Sequence, residues 1–400
     1  MPPKHLSVAV GYSTKNDAVR AGKEAAEMAR ERFPTHSPRL AVVFGSSWFN
    51  QSMLIQSIRS VLGNVPLAGC STAGELVTEG PLTHSCVVLL LGADSLVCSI
   101  GVGQSADTNP RLAGQQAAHM AARNMKGRER TGFLMLGDGL IEHYSDVIRG
   151  LQESLGTSTL IVGGMAGDDL QFSKTHQYFN NRALTHSIVG ILFGAPVALG
   201  IGLEHGFFPI SKPHLITKAD AHVLYELDKL PAALVYEEYF GATLIQRMSQ
   251  NPFTRSAIAF PIGIQPGAEN TPWLLRNVVR FQPDGSLRCN AEIPQNATLQ
   301  LMTGSRQMAI EAAYRAAKQA VQSLNHIDCV LVFDSALRRT LLGEHYILAE
   351  LEKIREAVGQ AVPVIGCCTY GEYAAPAAAS AAERLSTQTG SVLVVALGTL

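Results

Sequence analysis

A short phrase occurs twice in this sequence, once near each end. VPLAGCSTAGE spans residues 65–75, and VPVIGCCTYGE spans residues 362–372. Each copy follows a helix-like stretch, an apolar strand-like run and a second helix-like stretch, and each precedes one further strand-like run. Because the order of the surroundings is repeated together with the phrase, the sequence predicts a fold assembled from copies of one supersecondary unit.

The unit is clearest at the two ends of the chain. At the C-terminal end, helix-like residues 305–324 precede the run DCVLVFDS, and a second helix-like stretch covers residues 344–358. At the N-terminal end, residues 16–33 and 51–62 flank the run LAVVFGS in the same way. The closing runs are GSVLVVALG and SCVVLLLG. The predicted unit is therefore helix-strand-helix-strand-turn-strand.

A third and more diverged copy lies between these two. Helix-like residues 111–125 and 142–155 flank the run TGFLMLGDG, and STLIVGGMAGDD takes the place of the phrase. In this copy Asp168 is matched with Glu75 of the first phrase. The run HSIVGILFG closes the third copy as the last strand of its unit.

The spacing of the copies predicts two domains with a boundary near residue 205. Residues 1–205 hold two units, and residues 206–400 hold one further unit and an interdomain linker segment. The predicted fold class is α/β, with repeated helix-strand-helix-strand-turn-strand units, mixed sheets and an interdomain cleft. The most apolar stretch, residues 187–203, has Gly-Ala-Pro at its centre and is predicted to be a buried hairpin rather than a membrane span.

Composition and charge exclude several classes of function. The chain has 32 Lys and Arg against 33 Asp and Glu, and no run of like charge stands out. Nucleic acids and anionic membrane surfaces are normally bound by a basic stripe, so neither a nucleic-acid nor a membrane partner is predicted. The N-terminal residues MPPKHLSVAV lack the apolar core of a signal peptide. We therefore expect a cytoplasmic protein.

The repeated turns are candidate ligand sites. In each, a strand ends in glycine, small residues follow, and a carboxylate comes next to a second glycine, which gives a tight reversal able to expose main-chain N–H groups. Such turns either face a common ligand or are corners that every copy of the unit needs. The residues concerned are Gly74, Glu75, Gly167, Asp168, Tyr370, Gly371 and Glu372.

The sequence lacks the common fingerprints of nucleotide and metal sites. It contains no G-x-x-x-x-G-K-[ST], no C-x-x-C and no H-E-x-x-H, and the glycine turns do not open a helix as G-x-G-x-x-G. The seven cysteines lie mostly in apolar runs, which predicts reduced, buried thiols. Cys70 and Cys367 are candidate nucleophiles, because N–H groups beside a thiolate activate it. No base accompanies them in the sequence, so no catalytic residue is predicted.

Histidines and aromatic residues cluster in the segment that begins HGFFPI. His205, His214 and His222 lie there close to Phe207 and Tyr225. Imidazole beside aromatic and aliphatic surface, without competing carboxylate ligands nearby, suits a single axial bond to haem iron. The alternative is that each of these histidines is a surface or hydrogen-bonded residue.

These stretches resemble the FIST sensory proteins, which contain an N-terminal and a C-terminal FIST domain. The matching segments follow the order of the family: VVFGSSWFN, PLAGCSTAGE, GGMAGDD, HGFFPI with ITKADAHVLYELDKLPAALVYEEYFG, and VLVFDSALRRTLLG with PVIGCCTYGEYAAP. The resemblance implies a FIST N-terminal and a FIST C-terminal domain and a ligand-sensing role rather than catalysis. A chain of about this length without an attached output module is similar to the nitric-oxide-sensing haem proteins of the family.

The resemblance also implies a cofactor and partners. Haem b is expected to bind without covalent attachment and to respond to nitric oxide or another diatomic gas. The expected cofactor-binding residues are His205, His214 and His222 with Phe207 and Tyr225, and the expected metal ligands among them are His205 and His214. The expected partner is a histidine kinase or a cyclic-di-GMP enzyme, and a homo-oligomer is compatible with this role.

Two alternatives stay open at the level of sequence. In the first, a small organic ligand such as an amino acid binds between the domains, where small-molecule pockets are common. Its carboxylate is held by N–H groups of the turns, and its amine meets Glu75, Asp168 or Glu372. In the second, the chain is a thiol enzyme that uses Cys70 or Cys367, which requires a cysteine of depressed pKa.

Overall fold

A computed structural model of the chain describes residues 5–34, 37–125, 127–250, 259–265, 273–375 and 388–399. Within them the chain builds repeated α/β units with mixed sheets, which confirms the predicted fold class. The first unit comprises β1 (Ser7–Ser13), α1 (Ala18–Arg32), β2 (Leu40–Ser46), α2 (Gln51–Leu62), β3 (Leu67–Thr72), β4 (Glu75–Val77), β5 (Gly80–Leu82) and β6 (Cys86–Gly92). The second comprises β7 (Val97–Gln104), α3 (Pro110–Arg123), β8 (Arg130–Gly137), α4 (Tyr144–Leu155), β9 (Ile161–Met165), β10 (Gln177–Phe179), β11 (Arg182–Leu184) and β12 (Ser187–Gly194).

The third unit begins with β13 (Ala198–Glu204) and is then interrupted by an inserted sheet. The insertion comprises β14 (Phe207–Pro209), β15 (His214–Asp220), β16 (Val223–Leu227), β17 (Leu230–Pro231), α5 (Ala233–Gln250), β18 (Ile262–Gln265), β19 (Leu274–Arg276), β20 (Val278–Phe281), β21 (Leu287–Cys289) and β22 (Thr298–Gly304). The unit resumes with α6 (Arg306–Gln322), β23 (His326–Ser335), α7 (Ala336–Leu342), α8 (Glu344–Val358), β24 (Val364–Thr369), β25 (Glu372–Ala375) and β26 (Val392–Thr399).

Each unit builds one mixed sheet in the same way. Two neighbouring strands that a helical connection joins are parallel, namely β2 with β3, β8 with β9 and β23 with β24. The last strand of the unit lies antiparallel between its first and second strands. The strand orders are β1-β6-β2-β3-β10-β11, β7-β12-β8-β9-β25 and β13-β26-β23-β24-β4-β5. The inserted sheet has the order β19-β18-β22-β15-β16-β21-β20, with β14 on β22 and β17 on β16.

The three units exchange short strands in a closed cycle. Strand β4 of unit 1 pairs with β24 of unit 3. In the same way β10 of unit 2 pairs with β3 of unit 1, and β25 of unit 3 pairs with β9 of unit 2. Without the exchange, each receiving strand would leave a row of N–H and C=O groups unpaired at its outer edge. The repeated turn is the corner at which the chain crosses into the neighbouring unit.

The sheets of the three units share one apolar core. Buried side chains from all three sheets meet there, and the rings of Phe44 and Phe333 pack edge to face with centroids 6.0 Å apart. The outer faces are covered by α1 and α2, by α3 and α4, and by α6 and α8. Asp17, Asn50 and Ser305 each accept a hydrogen bond from the N–H three residues ahead and so begin α1, α2 and α6. Among the helices in the described part of the chain, none has both the length and the apolar character that crossing a membrane requires.

Close packing between helix and first strand accounts for glycine and alanine in these elements. A Cβ at Gly11 of β1 would lie 2.2 Å from the carbonyl oxygen of Ala25 in α1. A Cβ at Gly202 of β13 would lie 1.9 Å from the carbonyl oxygen of Ala316 in α6. Small residues on both sides therefore let the helix backbone lie directly against the strand.

The hairpin predicted over residues 187–203 is wrong. Strand β12 pairs with β7 and β8 in the sheet of unit 2, whereas β13 pairs with β26 in the sheet of unit 3. Both edges of β12 are occupied, so β13 cannot pair with it, and the turn between them carries the chain from one unit to the next. The boundary predicted near residue 205 lies at the end of β13, so the third unit begins before it, at Ala198.

Candidate functional site

A cleft lies where the inserted sheet meets the ends of units 2 and 3. It contains two adjoining cavities of about 410 Å³ and 220 Å³. The loop between β8 and α4 forms one wall, the turn after β24 forms the floor, and the strands of the insertion form the other wall. Both cavities are lined by Gly139, Ile141, Glu142, His222, Asn290 and Tyr370.

The two walls are joined by polar contacts. Arg288 of the inserted sheet forms an ion pair with Glu142 of unit 2, and both side chains are about half exposed. The Ser145 hydroxyl donates to Glu292 Oε1 at 2.9 Å, and His222 Nε2 lies 3.0 Å from the Glu142 carbonyl oxygen. An exposed ion pair contributes only about 0–1 kcal/mol, so the Arg288–Glu142 pair itself holds the two walls together weakly.

Groups of both charges line the larger cavity. Arg149 of α4 and Arg276 of β19 supply positive charge, and Glu142 and Glu292 supply negative charge. The Arg276 guanidinium donates to the carbonyl oxygens of Leu275 and Glu292, both at 2.8 Å. Burial lowers its pKa to about 10, so Arg276 stays charged at neutral pH. The cavity therefore offers complementary charge to a ligand that carries both signs.

The amino-terminal end of α4 adds to the positive side. Its first residues, Tyr144 and Ser145, line the larger cavity. The residue that precedes the helix, His143, makes no capping hydrogen bond through its side chain. Free N–H groups and the helix dipole at such an end attract anions. This end adds partial positive charge beside Arg276 and Arg149, although Arg149 is paired with Asp146 of the first turn at 3.0 Å.

Tyr370 is the predicted turn residue that the structure places in the cleft. Its ring stacks on Phe172 with centroids 4.5 Å apart and planes 15° apart. Its hydroxyl donates to Asp168, and burial raises the pKa of Tyr370 well above its usual value. The pair therefore forms a neutral aromatic wall beside the charged groups.

The carboxyl groups of Glu75 and Glu372 are used inside the fold. Both side chains are fully buried. Glu75 accepts hydrogen bonds from Thr72 and Ser85. Burial raises the pKa of Glu75 to about 7 and that of Glu372 to about 8. Neither residue lines the two cavities of the cleft.

Glu372 makes the same contacts in unit 3. It accepts from Thr369 at 2.7 Å and from Ser391 at 2.6 Å. The equivalent position in unit 2 is held by Gln177, which accepts from the Ser187 N–H at 3.2 Å. Each exchanged strand thus begins with one buried carboxyl or amide group that ties it to its own unit.

The match of Asp168 with Glu75 is wrong. In the exchanged strands, Glu75 pairs with Cys367 and Glu372 with Gly164, and Gln177 pairs with Cys70 at the equivalent place. The connection between β9 and β10 in unit 2 is longer than that between β3 and β4 in unit 1. Asp168, which follows a glycine, therefore lies in this connection and not at the beginning of β10. Asp168 closes this connection by accepting from the N–H groups of residues 172–174 at 2.7 to 2.8 Å.

The backbone of the repeated turns is engaged in contacts between units. The N–H of Gly167 donates to the carbonyl oxygen of Ser71 at 3.0 Å, and the N–H of Tyr370 donates to the carbonyl oxygen of Met165 at 3.1 Å. Gly74 has a φ of 134°, and a Cβ there would lie 1.8 Å from the guanidinium of Arg339. The carbonyl oxygen of Gly74 accepts from the Cys368 N–H at 2.7 Å, and that of Gly371 accepts from the Met165 N–H at 2.9 Å. These turns act as corners of the strand exchange.

The three predicted histidines lie in different places. His205 follows β13, its Nδ1 accepts the Phe207 N–H at 3.0 Å, and burial lowers its pKa to about 4. His214 begins β15, its Nδ1 lies 2.7 Å from Asp228, and its buried Nε2 has no hydrogen-bond partner among the described residues. Neither lines the two cavities of the cleft. His222 follows the other end of β15, roughly 20 Å from His214, and lines both cavities.

The aromatic residues predicted beside these histidines are separated as well. The ring of Phe207 lies 6.3 Å from that of His205, near the beginning of the insertion. Tyr225 lies in β16, where the Lys218 ammonium group approaches its ring centroid to 5.2 Å. The structure thus brings His222 and Tyr370 together in one cleft and leaves the other predicted cofactor residues outside it.

The thiol-enzyme alternative lacks a reactive cysteine at the predicted positions. Cys70 and Cys367 are both fully buried in the core that the three sheets share. Burial and the neighbouring Cys70 raise the pKa of the Cys367 thiol well above its usual value. A nucleophilic cysteine needs the opposite shift.

The charged residues of the cleft were not among the predicted site residues. Arg149 lies on a helix face whose periodicity indicates only amphipathic packing. Arg276 interrupts the apolar run LLRNVV, and an arginine inside such a run is the signal that could have indicated a buried charge. Glu292 follows in a segment with no repeated pattern. Nothing in their spacing predicts that the three converge.

Comparison with known proteins gives matches along most of the chain. The family model of the FIST N domain matches residues 39–230, and that of the FIST C domain matches residues 232–375. An uncharacterized protein of Mycobacterium tuberculosis is 26% identical over 246 residues, which cover 56% of this chain and 57% of that protein. An uncharacterized protein of Methanocaldococcus jannaschii is 24% identical over 209 residues, which cover 50% of this chain and 40% of that protein. The match spans about half the length of these relatives.

A solved structure of a cyanuric acid hydrolase from A. caulinodans also aligns with this chain. The alignment covers 99% of this chain and 100% of the hydrolase, with 9% identity and a TM-score of 0.38. A TM-score below 0.5 carries no conclusion about the fold or the activity of this chain.

Proposed function

The chain belongs to the FIST family, whose domains are sensory modules, and we propose that it senses a small polar organic ligand, such as an amino acid, in the cleft. The observation that carries the proposal is the convergence of Arg149, Arg276, Glu142 and Glu292 on one cavity beside the aromatic wall of Tyr370. The larger cavity, about 410 Å³, lies within the usual range of small-molecule sites.

The charges suggest how such a ligand is oriented. A carboxylate is held by Arg149 and the beginning of α4, with Arg276 adding positive charge from the opposite wall. An ammonium group is held by Glu142 or Glu292. The apolar part of the ligand lies against Tyr370. This arrangement keeps the amino-acid ligand of the sequence-based alternative, but Glu142 of unit 2 and Glu292 of the insertion replace the turn carboxylates as its partners.

Binding is coupled to the relative position of the cleft walls. A ligand that contacts both walls binds more tightly to the closed arrangement and therefore shifts the population towards it. The exposed ion pair between Arg288 and Glu142 is weak, which favours separation of the walls in the free protein. We propose that a cytoplasmic partner, a histidine kinase or a cyclic-di-GMP enzyme, recognises one of the two arrangements.

A ligand screen tests this function. We expect at least one amino acid or related zwitterion to raise the midpoint temperature of thermal unfolding, and isothermal titration calorimetry to give one site per chain. Arg149→Gln removes one charged partner and is expected to weaken binding by about tenfold or more. Arg123→Gln, at the exposed end of α3, is the control. Equal affinity in both variants would contradict the proposed site, and no binding across the screen would contradict the function.

His222 favours a second candidate, a haem-based sensor of nitric oxide. Its Nε2 faces a carbonyl oxygen, which can only accept a hydrogen bond, so Nε2 carries a proton and, in the neutral ring, Nδ1 keeps its lone pair. A histidine that binds a metal commonly donates its other ring N–H in this way. His222 would supply the iron ligand of a haem b in this cleft, and Arg149 and Arg276 would be available to its propionates. The iron would supply a position for a diatomic gas.

Reconstitution with hemin distinguishes the two candidates. If haem binds here, the absorption spectrum shows a stoichiometric Soret band that shifts with nitric oxide and with carbon monoxide. His222→Ala is expected to abolish the band, and His214→Ala and His205→Ala to retain it. A band that survives His222→Ala would contradict this ligand assignment. A spectrum identical to that of free hemin would leave the zwitterion sensor as the function to pursue.

A further inference from the structure

Two histidines and an aspartate meet at the end of unit 3 that lies farthest from the cleft. His5 precedes β1 of unit 1, and His326 and Asp328 lie in the first residues of β23 in unit 3. The opposite end of β23, at Ser335, leads into α7, whose first residues line the cleft. A strand of ten residues is about 30 Å long, so the two places are separate.

The ligand atoms of these residues are close enough to share one ion. His326 Nε2 lies 3.2 Å from Asp328 Oδ1, and His5 Nδ1 lies 3.9 Å from the same oxygen. One ligand atom from each of the three residues lies within 4.8 Å of the others. Ligands about 2.0–2.1 Å from a tetrahedral zinc ion are about 3.3 Å apart, so binding requires side-chain movements that also separate the His5 and His326 rings, whose centroids lie 3.7 Å apart. Among the described residues, this is the one group of three potential metal ligands with such proximity.

Burial of the carboxylate is the second observation that points to a cation. The Asp328 side chain is 2% exposed, and its Oδ2 has no hydrogen-bond partner among the described residues. A buried carboxylate that lacks a full set of partners is unfavourable, and a bound cation would offset this. The His5 and His326 side chains are 50% and 44% exposed, which gives an ion access from solvent.

We propose that His5, His326 and Asp328 form a binding site for a divalent transition metal of the zinc class. Two imidazoles and one carboxylate suit zinc, iron, cobalt or nickel rather than calcium or magnesium, which prefer oxygen ligands alone. Three protein ligands leave further positions for water. The ion links the beginning of the first unit to the third unit, and so stabilises the closure of the three-unit cycle.

Titration of the apo protein with Zn²⁺ and Co²⁺ tests the site. We expect one Zn²⁺ per chain by calorimetry and, for Co²⁺, visible absorption bands that differ from those of the hydrated ion. Saturating Zn²⁺ is expected to raise the midpoint of thermal unfolding by roughly 2–5 °C. Binding is expected to weaken at acidic pH, because metal ligands must be deprotonated.

Variants assign the binding to these residues. His5→Gln changes an exposed side chain and is expected to preserve the fold while weakening Zn²⁺ binding by about 100-fold. Asp328→Asn is expected to abolish binding, and circular dichroism checks that this variant is folded. The control is His119→Gln, an exposed histidine of α3 that belongs to no such cluster. Equal affinity in His5→Gln and the control would overturn the proposal, as would the absence of saturable Zn²⁺ binding to the parent protein.

Discussion

Glu372→Gln is expected to make the protein more stable at pH 8 and to reduce the loss of stability between pH 5 and pH 8. In the unfolded chain this carboxyl ionises near pH 4.5, whereas burial raises its pKa in the folded protein to about 8. The folded state therefore keeps a proton that the unfolded state has lost. Its contribution to stability is complete below about pH 4.5 and is lost as the pH rises to about 8, by up to about 1.4 kcal/mol per pH unit.

Unit 2 has glutamine at the position that Glu372 holds in unit 3. Gln177 holds the equivalent position in unit 2, so an amide is accepted at the beginning of an exchanged strand. In Glu372→Gln the amide can donate to one hydroxyl and accept from the other, because hydroxyl groups rotate. Glu75→Gln is expected to act in the same direction over a narrower range, since the pKa of Glu75 is raised only to about 7.

Urea unfolding at pH 5 and pH 8 measures the effect. Glu372→Ala removes the partner of the Ser391 hydroxyl and leaves Thr369 only the Asp334 carbonyl oxygen, 3.3 Å away, so it is expected to lower the free energy of unfolding by about 1–3 kcal/mol at pH 5. Gln177→Glu places a buried carboxyl group at the beginning of the remaining exchanged strand, β10, and is expected to steepen the decline towards pH 8. If Glu372→Gln shows the same decline as the parent protein, Glu372 does not bind the proton assigned to it.

The repeated architecture could be predicted from the sequence, but the strand exchange could not. The phrase at residues 65–75 and its copy at 362–372 identify the strand and the turn of each unit. They do not predict which strand β4 pairs with. Strand β4 has only three residues, and its side chains would alternate in the same way in the sheet of unit 1 and in that of unit 3. Which edge it joins depends on contacts between Glu75 and Cys367, which are far apart in sequence.

The candidate site was predictable only in its general place. A cleft between two parts of the chain follows from the position of the third unit, and His222 and Tyr370 were among the predicted residues that line it. Glu75 and Glu372 were also predicted, because a carboxylate beside a glycine turn has the same sequence signature whether it binds a ligand or a neighbouring hydroxyl group. Burial distinguishes the two cases, and burial at these turns arises from the exchanged strands.

Replacement of Arg338 is expected to lower the free energy of unfolding more than Glu372→Ala does. Arg338 is fully buried and donates to Asp334 at 2.7 Å and to Glu350. Arg338→Met leaves two carboxyl groups buried without their cation, and removing one partner of such a cluster costs about 3–5 kcal/mol. In the parent protein the Arg338 guanidinium also donates to the carbonyl oxygens of Ala309 and His205, at 2.9 and 3.0 Å, and the substitution removes both hydrogen bonds.

The dependence on pH shows whether electrostatics causes the loss. Burial raises the pKa of both Asp334 and Glu350, the latter to about 8, and the arginine counteracts this. Without Arg338 the carboxyls bind protons more readily in the folded state, so the destabilisation is expected to be smaller at pH 5 than at pH 8. Urea unfolding of Arg338→Met and of Arg338→Met with Glu350→Gln measures this, and the double variant should recover part of the loss at pH 8.

A matched control separates the cluster from the general effect of losing an arginine. Arg123→Met, at the exposed end of α3, is expected to change the free energy of unfolding by less than about 0.5 kcal/mol. Arg338 also holds the carbonyl of His205, at the point where the chain leaves β13 for the inserted sheet. A loss equal at both pH values would mean that packing and the two carbonyl contacts outweigh the buried charges. The cluster would then act chiefly to fix the insertion, and with it one wall of the cleft, on unit 3.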